Sequence, residues 1–202
     1  MQNRRKFLRN TTYGTLGLHI WEQALGKASP TPTQRTYKVL TPIQAKTLEA
    51  IAECIWPSSP EDPGAIEAGV VTFIDRSLSE FDHRLKTTYQ NGIASTNAFS
   101  HSKFGRNFPA LSTKQQNEIL SAMEQGSTES QKNFTDISPS EFFELLLAHT
   151  RQGLFSDPLY GGNQNFIGWK SIGYPGPRFL YTAEMQTKFA PLELPLRSIA
   201  DM

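Results

Sequence analysis

The chain has 202 residues, 38% of them hydrophobic, and a formal net charge of +1, so it can bury one sizeable core and is too short for a multidomain enzyme. Its charge is uneven, because five basic side chains and one acidic side chain lie within residues 1–28. The remainder is therefore mildly acidic, which argues against nucleic acid as a partner.

The first 28 residues have the pattern of an export signal. A basic cluster leads into a weakly apolar stretch, and Ser/Pro/Thr-rich sequence follows, which is the order of regions in such a signal. The arginine pair and the apolar residues behind it are similar to a twin-arginine signal, whose pathway carries folded proteins: Arg4, Arg5, Phe7 and Leu8. Asn3 stands where Ser or Thr is usual, and Lys27 interrupts the small residues of a cleavage site, so a cleaved signal and a retained anchor both stay open. The alternative is a basic amphipathic helix of the folded protein.

Residues 29–40 are predicted to be a linker, and residues 41–202 a helical domain. Thr41-Pro42-Ile43-Gln44 supplies an N-cap hydroxyl, a first-turn proline and a glutamine that can reach back, so a helix should begin there and end before Pro57. Capping residues and the spacing of apolar residues predict four more helices, which begin near Asp62, Leu85, Ser112 and Ser138. The last of these is apolar nearly all round and should be central. Residues 124–133 are predicted to be a solvated loop.

The sequence contains no strand-like alternation of useful length and no internal repeat. The predicted fold is therefore all-α, a single irregular bundle of about five main helices. Residues 156–176 hold five glycines, two prolines and four large aromatic side chains, and we expect them to form a long irregular loop. The final residues, APLELPLRSIADM, are punctuated by proline and should form an extended tail.

The role of this Gly/aromatic loop has two interpretations, which can both hold. A loop of this length is uncommon in a compact domain unless it is functional or disordered, and its rings argue against disorder. It can wrap its own bundle and fill the core. It can also be a docking surface, because glycine lets the backbone approach another surface closely, while Trp and Tyr supply large, rigid contact area.

Motifs of common catalytic and nucleotide sites are missing from the sequence, including the Gly-rich dinucleotide turn, the P-loop and the nucleophile elbow. Cys54 is expected to be a small core residue, and as the single cysteine it excludes an internal disulfide and an iron–sulfur cluster held by this chain alone. Glu80 and His83 have the spacing of metal ligands on a helix, but a di-iron bundle needs a second such pair. His149 is expected to cap a carbonyl near the end of its helix. We therefore predict no catalytic, cofactor-binding or metal-binding residue.

Three stretches carry a resemblance to a known family. They are the basic start RRKFL, residues 40–75 from LTPIQAK to TFID, and residues 142–176 from FFELLLAHT to GWKSIGYPG. The order of glycine, aromatic residues and proline in the third stretch is the most specific. The sequence resembles the gluconate 2-dehydrogenase subunit 3 family, the small or gamma subunit of membrane-associated, FAD-dependent sugar dehydrogenases.

The resemblance implies an accessory subunit of an oxidoreductase complex rather than an enzyme. In such complexes a large subunit of the glucose-methanol-choline type binds FAD and oxidises a sugar or sugar-acid hydroxyl, and a multihaem cytochrome c subunit can pass the electrons to quinone. The small subunit behaves like a chaperone, because its signal takes the folded flavoprotein through the twin-arginine translocase. The complex would then lie in the periplasm, peripheral to the inner membrane. No cofactor is expected in this chain, with FAD in the partner and haem c in a third subunit.

The docking interpretation has candidate residues chosen by residue type: Phe155, Tyr160, Gly161, Gly162, Trp169 and Tyr174. Their rings would anchor the flavoprotein, and the two glycines would let the segment lie flat against it. The competing function is an autonomous exported helical protein. It would bind a metal through Glu80, His83 or His149, or would bind another envelope partner.

Overall fold

The computed structural model describes residues 36–187 and 194–202. The predicted export signal, with Arg4, Arg5, Phe7 and Leu8, lies outside the described residues. Within the described ranges every regular element is helical, which confirms the all-α prediction. The helices are α1 (Pro42–Ile55), α2 (Val70–Ser79), α3 (Lys86–Phe104), α4 (Thr113–Glu124), α5 (Thr128–Gln131), α6 (Pro139–Phe155), α7 (Ile167–Ile172) and α8 (Ala183–Thr187). None of these described helices is long and apolar enough to span a bilayer.

The three predicted capping boxes are present at the starts of α1, α4 and α6. In each box the cap hydroxyl accepts from the backbone N–H three residues later, and the side chain of that later residue accepts from the backbone N–H of the cap. The pairs are Thr41–Gln44, Ser112–Gln115 and Ser138–Glu141. These bonds satisfy N–H groups that have no partner inside the helix. Because they involve residues close in the chain, the sequence alone predicts them.

The start of α2 differs from the prediction, which placed it at Asp62-Pro63. Residues 65–69 form turns instead, and α2 begins after Gly69, whose φ of 72° is left-handed. Distant groups hold these turns, because Glu53 Oε2 accepts from Ile66 N at 3.3 Å and the Ala68 carbonyl accepts from Gln164 N at 3.0 Å. The apolar spacing from Ile66 onward is helical, but a left-handed glycine interrupts the helix.

Residues 124–133, predicted to be a solvated loop, contain the short helix α5 and a buried side chain. The Ser127 hydroxyl caps α5 by accepting from Ser130 N at 3.2 Å. The Ser130 hydroxyl donates to Ala122 O at 3.2 Å, and Ser130 is 0% exposed. A polar composition did not predict this burial, because the serine hydroxyl is satisfied by backbone carbonyls of adjacent turns.

Helix α6 lies at the centre of the bundle, as its apolar sequence predicts. It packs against α1, α2, α4 and α7. Its buried face includes Phe142 and Leu154, and the Phe142 ring lies so close to Gly92 of α3 that a Cβ there would be 2.4 Å from it. Ala148 and Arg151 lie on the exposed face of α6.

Two buried carboxylates hold the segments that flank the bundle. Asp75 of α2 accepts from the backbone N–H groups of residues 38–40 at 2.6, 2.9 and 2.9 Å. Asp157 accepts from the Ser198 hydroxyl at 2.6 Å and from Ile199 N at 2.8 Å. The described part of the C-terminal tail is irregular up to Ser198 and then forms one 3₁₀ turn. The tail is therefore fastened to the residues that follow α6.

The single cysteine, Cys54, packs against the hydrophobic core and is partly buried, in agreement with the prediction. Burial raises the pKa of its thiol to about 11, and the neighbouring Glu53 carboxylate adds to this shift. The thiolate is the reactive form of cysteine, so this environment disfavours reaction at Cys54.

Candidate docking surface

The Gly/aromatic segment, residues 156–176, is not the structureless loop that the sequence predicts. It contains two 3₁₀ turns, Pro158–Tyr160 and Gln164–Phe166, followed by α7. Three of its residues that are not glycine have left-handed backbone conformations, with φ values of 46°, 55° and 59°: Asn163, Asn165 and Phe166. Such conformations are uncommon outside glycine, although Asn adopts them more often than most residues do, so helix and strand patterns do not predict the path of this segment.

Asn163 is 0% exposed, and its side chain forms hydrogen bonds that hold the segment in place. Its Nδ2 donates to Ser156 O at 2.9 Å, and its Oδ1 accepts from Gly168 N at 2.9 Å. The first bond ties the segment back to the end of α6, and the second satisfies an N–H group in the first turn of α7. Asn163 N also donates to Gly153 O at 2.7 Å. The segment is therefore built onto α6.

Trp169, predicted to be a docking residue, lies inside the protein and is 3% exposed. Its Nε1 donates to Phe155 O at 2.8 Å. Its ring stacks on Phe166 with centroids 5.6 Å apart and meets Tyr174 edge-on at 5.0 Å. Trp169 thus favours the interpretation in which the segment wraps its own bundle.

The two predicted glycines also lie against the bundle. A Cβ on Gly162 would be 2.2 Å from Gly153 O, so only glycine allows this approach to α6. Gly161 contacts the Arg76 side chain, and a Cβ there would lie 2.9 Å from Arg76 Cδ. Arg76 in turn donates through Nη1 to Leu159 O at 3.2 Å. The two glycines let the segment lie flat against its own bundle, whereas the prediction concerned contact with the flavoprotein.

Two of the remaining predicted residues are exposed, and the third packs partly against the core. Tyr160 is 42% exposed and Tyr174 is 37% exposed, while Phe155 is half-buried. Phe155 and Tyr160 line the same groove, whereas Tyr174 does not line it. The structure therefore divides the six residues into an inner set of Gly161, Gly162 and Trp169 and an outer set of Phe155, Tyr160 and Tyr174.

The groove lies between α2, the turn that follows α2, the exposed face of α6 and the turn Pro158–Tyr160. We call it the α2–α6 groove; its volume is ≈ 1050 Å³. The large apolar side chains that line it are Phe73, Phe81, Phe155, Leu159 and Tyr160. Phe81 is 73% exposed and Leu159 is 51% exposed. The groove therefore presents rings and a leucine to its surroundings.

Some charged side chains at the groove form an ion pair, and others do not. Lys38 Nζ and Glu80 Oε1 form an ion pair at 3.0 Å. Arg76 and Arg151 also line the groove, and within residues 36–187 and 194–202 neither guanidinium forms an ion pair with a carboxylate. The Ser156 hydroxyl in the wall of the groove has no hydrogen-bond partner among the described residues. The groove thus combines an apolar lining with positive charge.

A row of polar side chains leads from the groove into the interior, since Asp82 lines the groove and Tyr89 and His149 are buried. The Tyr89 hydroxyl and His149 Nδ1 are 2.8 Å apart, and their rings are stacked. His149 Nε2 and Asp82 Oδ2 are 3.8 Å apart, which is too long for a hydrogen bond, and Asp82 accepts from the Ser77 hydroxyl. His149 does not cap a helix end, contrary to the prediction, because Tyr89 of α3 occupies the position facing its ring.

The surroundings of His149 and Tyr89 favour the neutral form of both rings. Burial lowers the pKa of His149, although the Asp82 carboxylate acts in the opposite direction. Burial raises the pKa of Tyr89, and Asp82 raises it further. Tyr89 is 0% exposed and His149 is 4% exposed, so a substrate cannot reach either ring in this conformation. The contact between Tyr89 and His149 joins α3 to α6.

Comparison with models of protein families places the chain in one family. The family model described as gluconate 2-dehydrogenase subunit 3 matches residues 42–176, which run from the first residue of α1 to the last residue of the Gly/aromatic segment. The chain belongs to the gluconate 2-dehydrogenase subunit 3 family. A search of curated proteins and a search of solved structures each returned no significant match. The region matched by the subunit 3 family contains nearly the whole α2–α6 groove, from Phe73 to Tyr160.

The pair Glu80 and His83 in this subunit 3 domain does not lie on a helix face, so the helical spacing that suggested metal binding does not apply. Helix α2 ends at Ser79, and Glu80 has φ −122° and ψ −80°. Glu80 pairs with Lys38, and His83 Nδ1 lies 3.3 Å from the backbone oxygen of Glu80. Nowhere in the described part of the chain do three or more His, Cys, Asp or Glu side chains come together as metal ligands.

Several groove residues of this subunit 3 domain were not predicted from the sequence. Phe81 follows the end of α2, while Arg151 lies on α6 far along the chain, and neither has a local motif around it. One available signal was that Ala148, Arg151 and Gln152 share a face of an otherwise apolar helix, at spacings of three and four residues. That face is the one that borders the groove.

Proposed function

We propose that this chain is the non-catalytic small subunit of an FAD-dependent sugar or sugar-acid dehydrogenase complex. Its family membership supports a place in a dehydrogenase complex. The observation that carries the accessory role is the α2–α6 groove, where Phe81, Leu159 and Tyr160 are 73%, 51% and 42% exposed. Grouped apolar side chains on a soluble protein mark a surface for a partner. The protein partner in this proposal is the catalytic flavoprotein.

The flavoprotein is of the glucose-methanol-choline type, holds the FAD and carries out the oxidation. A multihaem cytochrome c would be the third subunit and would pass the electrons onward. Stable docking buries roughly 1,200–2,000 Å² in total, so the groove supplies part of the interface and exposed residues around it supply the rest. Tyr160 and Tyr174 are anchors from the outer set, while Trp169, Gly161 and Gly162 give the surface its shape from beneath.

Export of the complex follows from the order of assembly. FAD is inserted where it is made, so the flavoprotein must fold before it crosses the membrane. A pathway that accepts folded cargo can take two docked chains that share one signal. The signal in this chain is the twin-arginine stretch with Arg4, Arg5, Phe7 and Leu8. The assembled complex is then periplasmic and peripheral to the inner membrane.

Co-expression of this chain with the catalytic flavoprotein of the proposed complex tests the proposal. With the wild-type chain, the flavoprotein should reach the periplasm and be retained by an affinity tag on this chain. Exchange of both arginines, Arg4→Lys with Arg5→Lys, should leave both proteins in the cytoplasm, whereas the matched change Arg9→Lys should not. Normal export of the flavoprotein without this chain, or with the double variant, would overturn the escort role.

The competing function, an autonomous helical protein that binds a metal, gives a different result when the chain is purified alone. The proposal expects a colourless, metal-free chain that does not oxidise sugars with an artificial electron acceptor. Metal content is measured by mass spectrometry and turnover by reduction of the acceptor. One metal ion per chain, or turnover above the blank, would favour the competing function.

A further inference from the structure

We propose that the α2–α6 groove receives a segment of the flavoprotein that carries large apolar side chains together with a carboxylate, and that this carboxylate pairs with Arg151. The inference rests on the proposed function and adds the place and the chemistry of the contact. Three features of the described residues carry it: the apolar lining, the pattern of charges and the size of the groove.

The apolar lining accounts for the large side chains of the segment. Phe81 and Leu159 both line the groove, one after α2 and the other after α6. Phe81 is 73% exposed and Leu159 is 51% exposed, so at least half of the surface of each is in contact with water. Covering them is favourable by about 25 cal/mol per Å² of apolar surface. Rings and leucines on the partner are the side chains that supply this contact.

The charges account for the carboxylate. Lys38 pairs with Glu80 at 3.0 Å. Asp82 is a second carboxylate of the lining and accepts from Ser77. With three basic and two acidic side chains, the lining keeps one positive charge. Arg76 uses Nη1 for the Leu159 carbonyl, which leaves most of its donors available. Arg151 forms no ion pair with any described residue and sits on the exposed face of α6. A guanidinium of this kind matches a carboxylate, with which it can form two parallel hydrogen bonds.

The size of the groove limits the occupant to a segment. A volume of ≈ 1050 Å³ is at the upper end of the range for sites that enclose small molecules, roughly 300–1,000 Å³. It therefore holds a few large side chains from one helix face or one extended stretch. A second copy of this chain in the groove would make the chain self-associate when no flavoprotein is present.

The test measures retention of the flavoprotein by the full chain and compares substitutions inside and outside the groove. Phe81→Asp places a charge on the apolar lining, and its matched control is Ile43→Asp on α1, because both parent side chains are 73% exposed. We expect Phe81→Asp to weaken binding by about 30-fold, the effect of losing a central interface residue. Ile43→Asp should leave binding within about twofold of the wild type. Urea unfolding of both variants checks that they are folded.

A series at Arg151 tests the carboxylate. Arg151→Lys should lose less affinity than Arg151→Gln, because it keeps the charge but not the two parallel hydrogen bonds. Arg151→Gln should lose about tenfold, and Arg151→Glu should lose more, because it repels the partner. Arg106→Glu, at an exposed arginine away from the groove, is the control. The difference between Arg151→Lys and Arg151→Glu should shrink in 1 M salt, which screens exposed charges.

The outcomes separate this inference from the proposed function. If the wild-type chain retains no flavoprotein, both are wrong. If the wild-type chain and Phe81→Asp bind equally well, the groove is not the docking site, although the escort role stands. Equal binding across the Arg151 series would overturn the carboxylate pairing. Dimers of the purified chain that Phe81→Asp dissociates would show that the occupant is a second copy, which also overturns the inference.

Discussion

Replacement of Trp169 by alanine asks whether the Gly/aromatic segment belongs to the core of the bundle. A tryptophan side chain buries about 150–250 Å², and Trp169 is 3% exposed, so nearly all of that area is removed from water. At about 25 cal/mol per Å² the upper bound is about 4–6 kcal/mol. Loss of the Nε1 bond to Phe155 O, which is 2.8 Å long, is a separate contribution that adds to the area term. We expect Trp169→Ala to destabilise the protein by about 3–5 kcal/mol, the usual range for such substitutions.

Urea unfolding of the full chain, followed by far-ultraviolet circular dichroism, measures this loss. The matched control is Tyr160→Ala in the same segment, where the ring is 42% exposed and the expected change in unfolding free energy is below about 1 kcal/mol. If Trp169→Ala changed stability by no more than Tyr160→Ala does, the inner and outer sets of this segment would not differ and the packing argument would be wrong.

Three further substitutions or measurements test the core. Gly92→Ala should destabilise by about 1–3 kcal/mol, as overpacking does, because the new Cβ would lie 2.4 Å from the Phe142 ring; thermal unfolding measures the change. His149→Gln should reduce the loss of stability in acid. Burial lowers the pKa of His149 below 6.5 despite the Asp82 carboxylate, so at low pH the unfolded chain binds a proton that the folded chain does not. Wild-type stability is therefore complete above pH 6.5 and falls as the pH drops, by at most about 1.4 kcal/mol per pH unit. Cys54, with a pKa of about 11, should react with an aromatic disulfide reagent at least about 100-fold more slowly in the folded chain than in urea.

Each of these measurements has its own control. A Phe142→Leu background should lessen the effect of Gly92→Ala, since the ring that causes the clash is gone. Unfolding in urea at several pH values should show that the stability of the wild type falls more steeply toward acid than that of His149→Gln, which lacks the titrating ring; parallel curves would contradict the assignment. Equal reaction rates of Cys54 in the folded and unfolded chain would show that burial does not protect the thiol.

The helix starts show which structural features nearby residues in the sequence predict. The boxes at Thr41, Ser112 and Ser138 are closed by side chains three residues away, so no distant group is needed to place them. The start of α2 was predicted too early, because the turns before it depend on Glu53 and on Gln164. Those partners lie far away in the chain, and their position follows from packing.

The Gly/aromatic segment shows what its composition does and does not predict. Its composition correctly indicated a packed segment rather than a free linker. Which rings point inward was not predictable, because that depends on Asn163, whose side chain joins Ser156 to the start of α7. Trp169 and Tyr160 have similar sequence surroundings and opposite exposures, 3% and 42%. Residue type alone could not separate the two.

The sequence by itself determined the helical class, the caps of three long helices, the central position of α6 and the family, because each of these depends on short patterns or on the order of residues along the chain. Only the tertiary structure decided where the groove lies. Its lining comes from Phe81, Arg151 and Tyr160, which are brought together by the packing of α2 against α6 and of the Gly/aromatic segment onto the end of α6. Their proximity results from burial of the opposite helix faces, and no local motif encodes it.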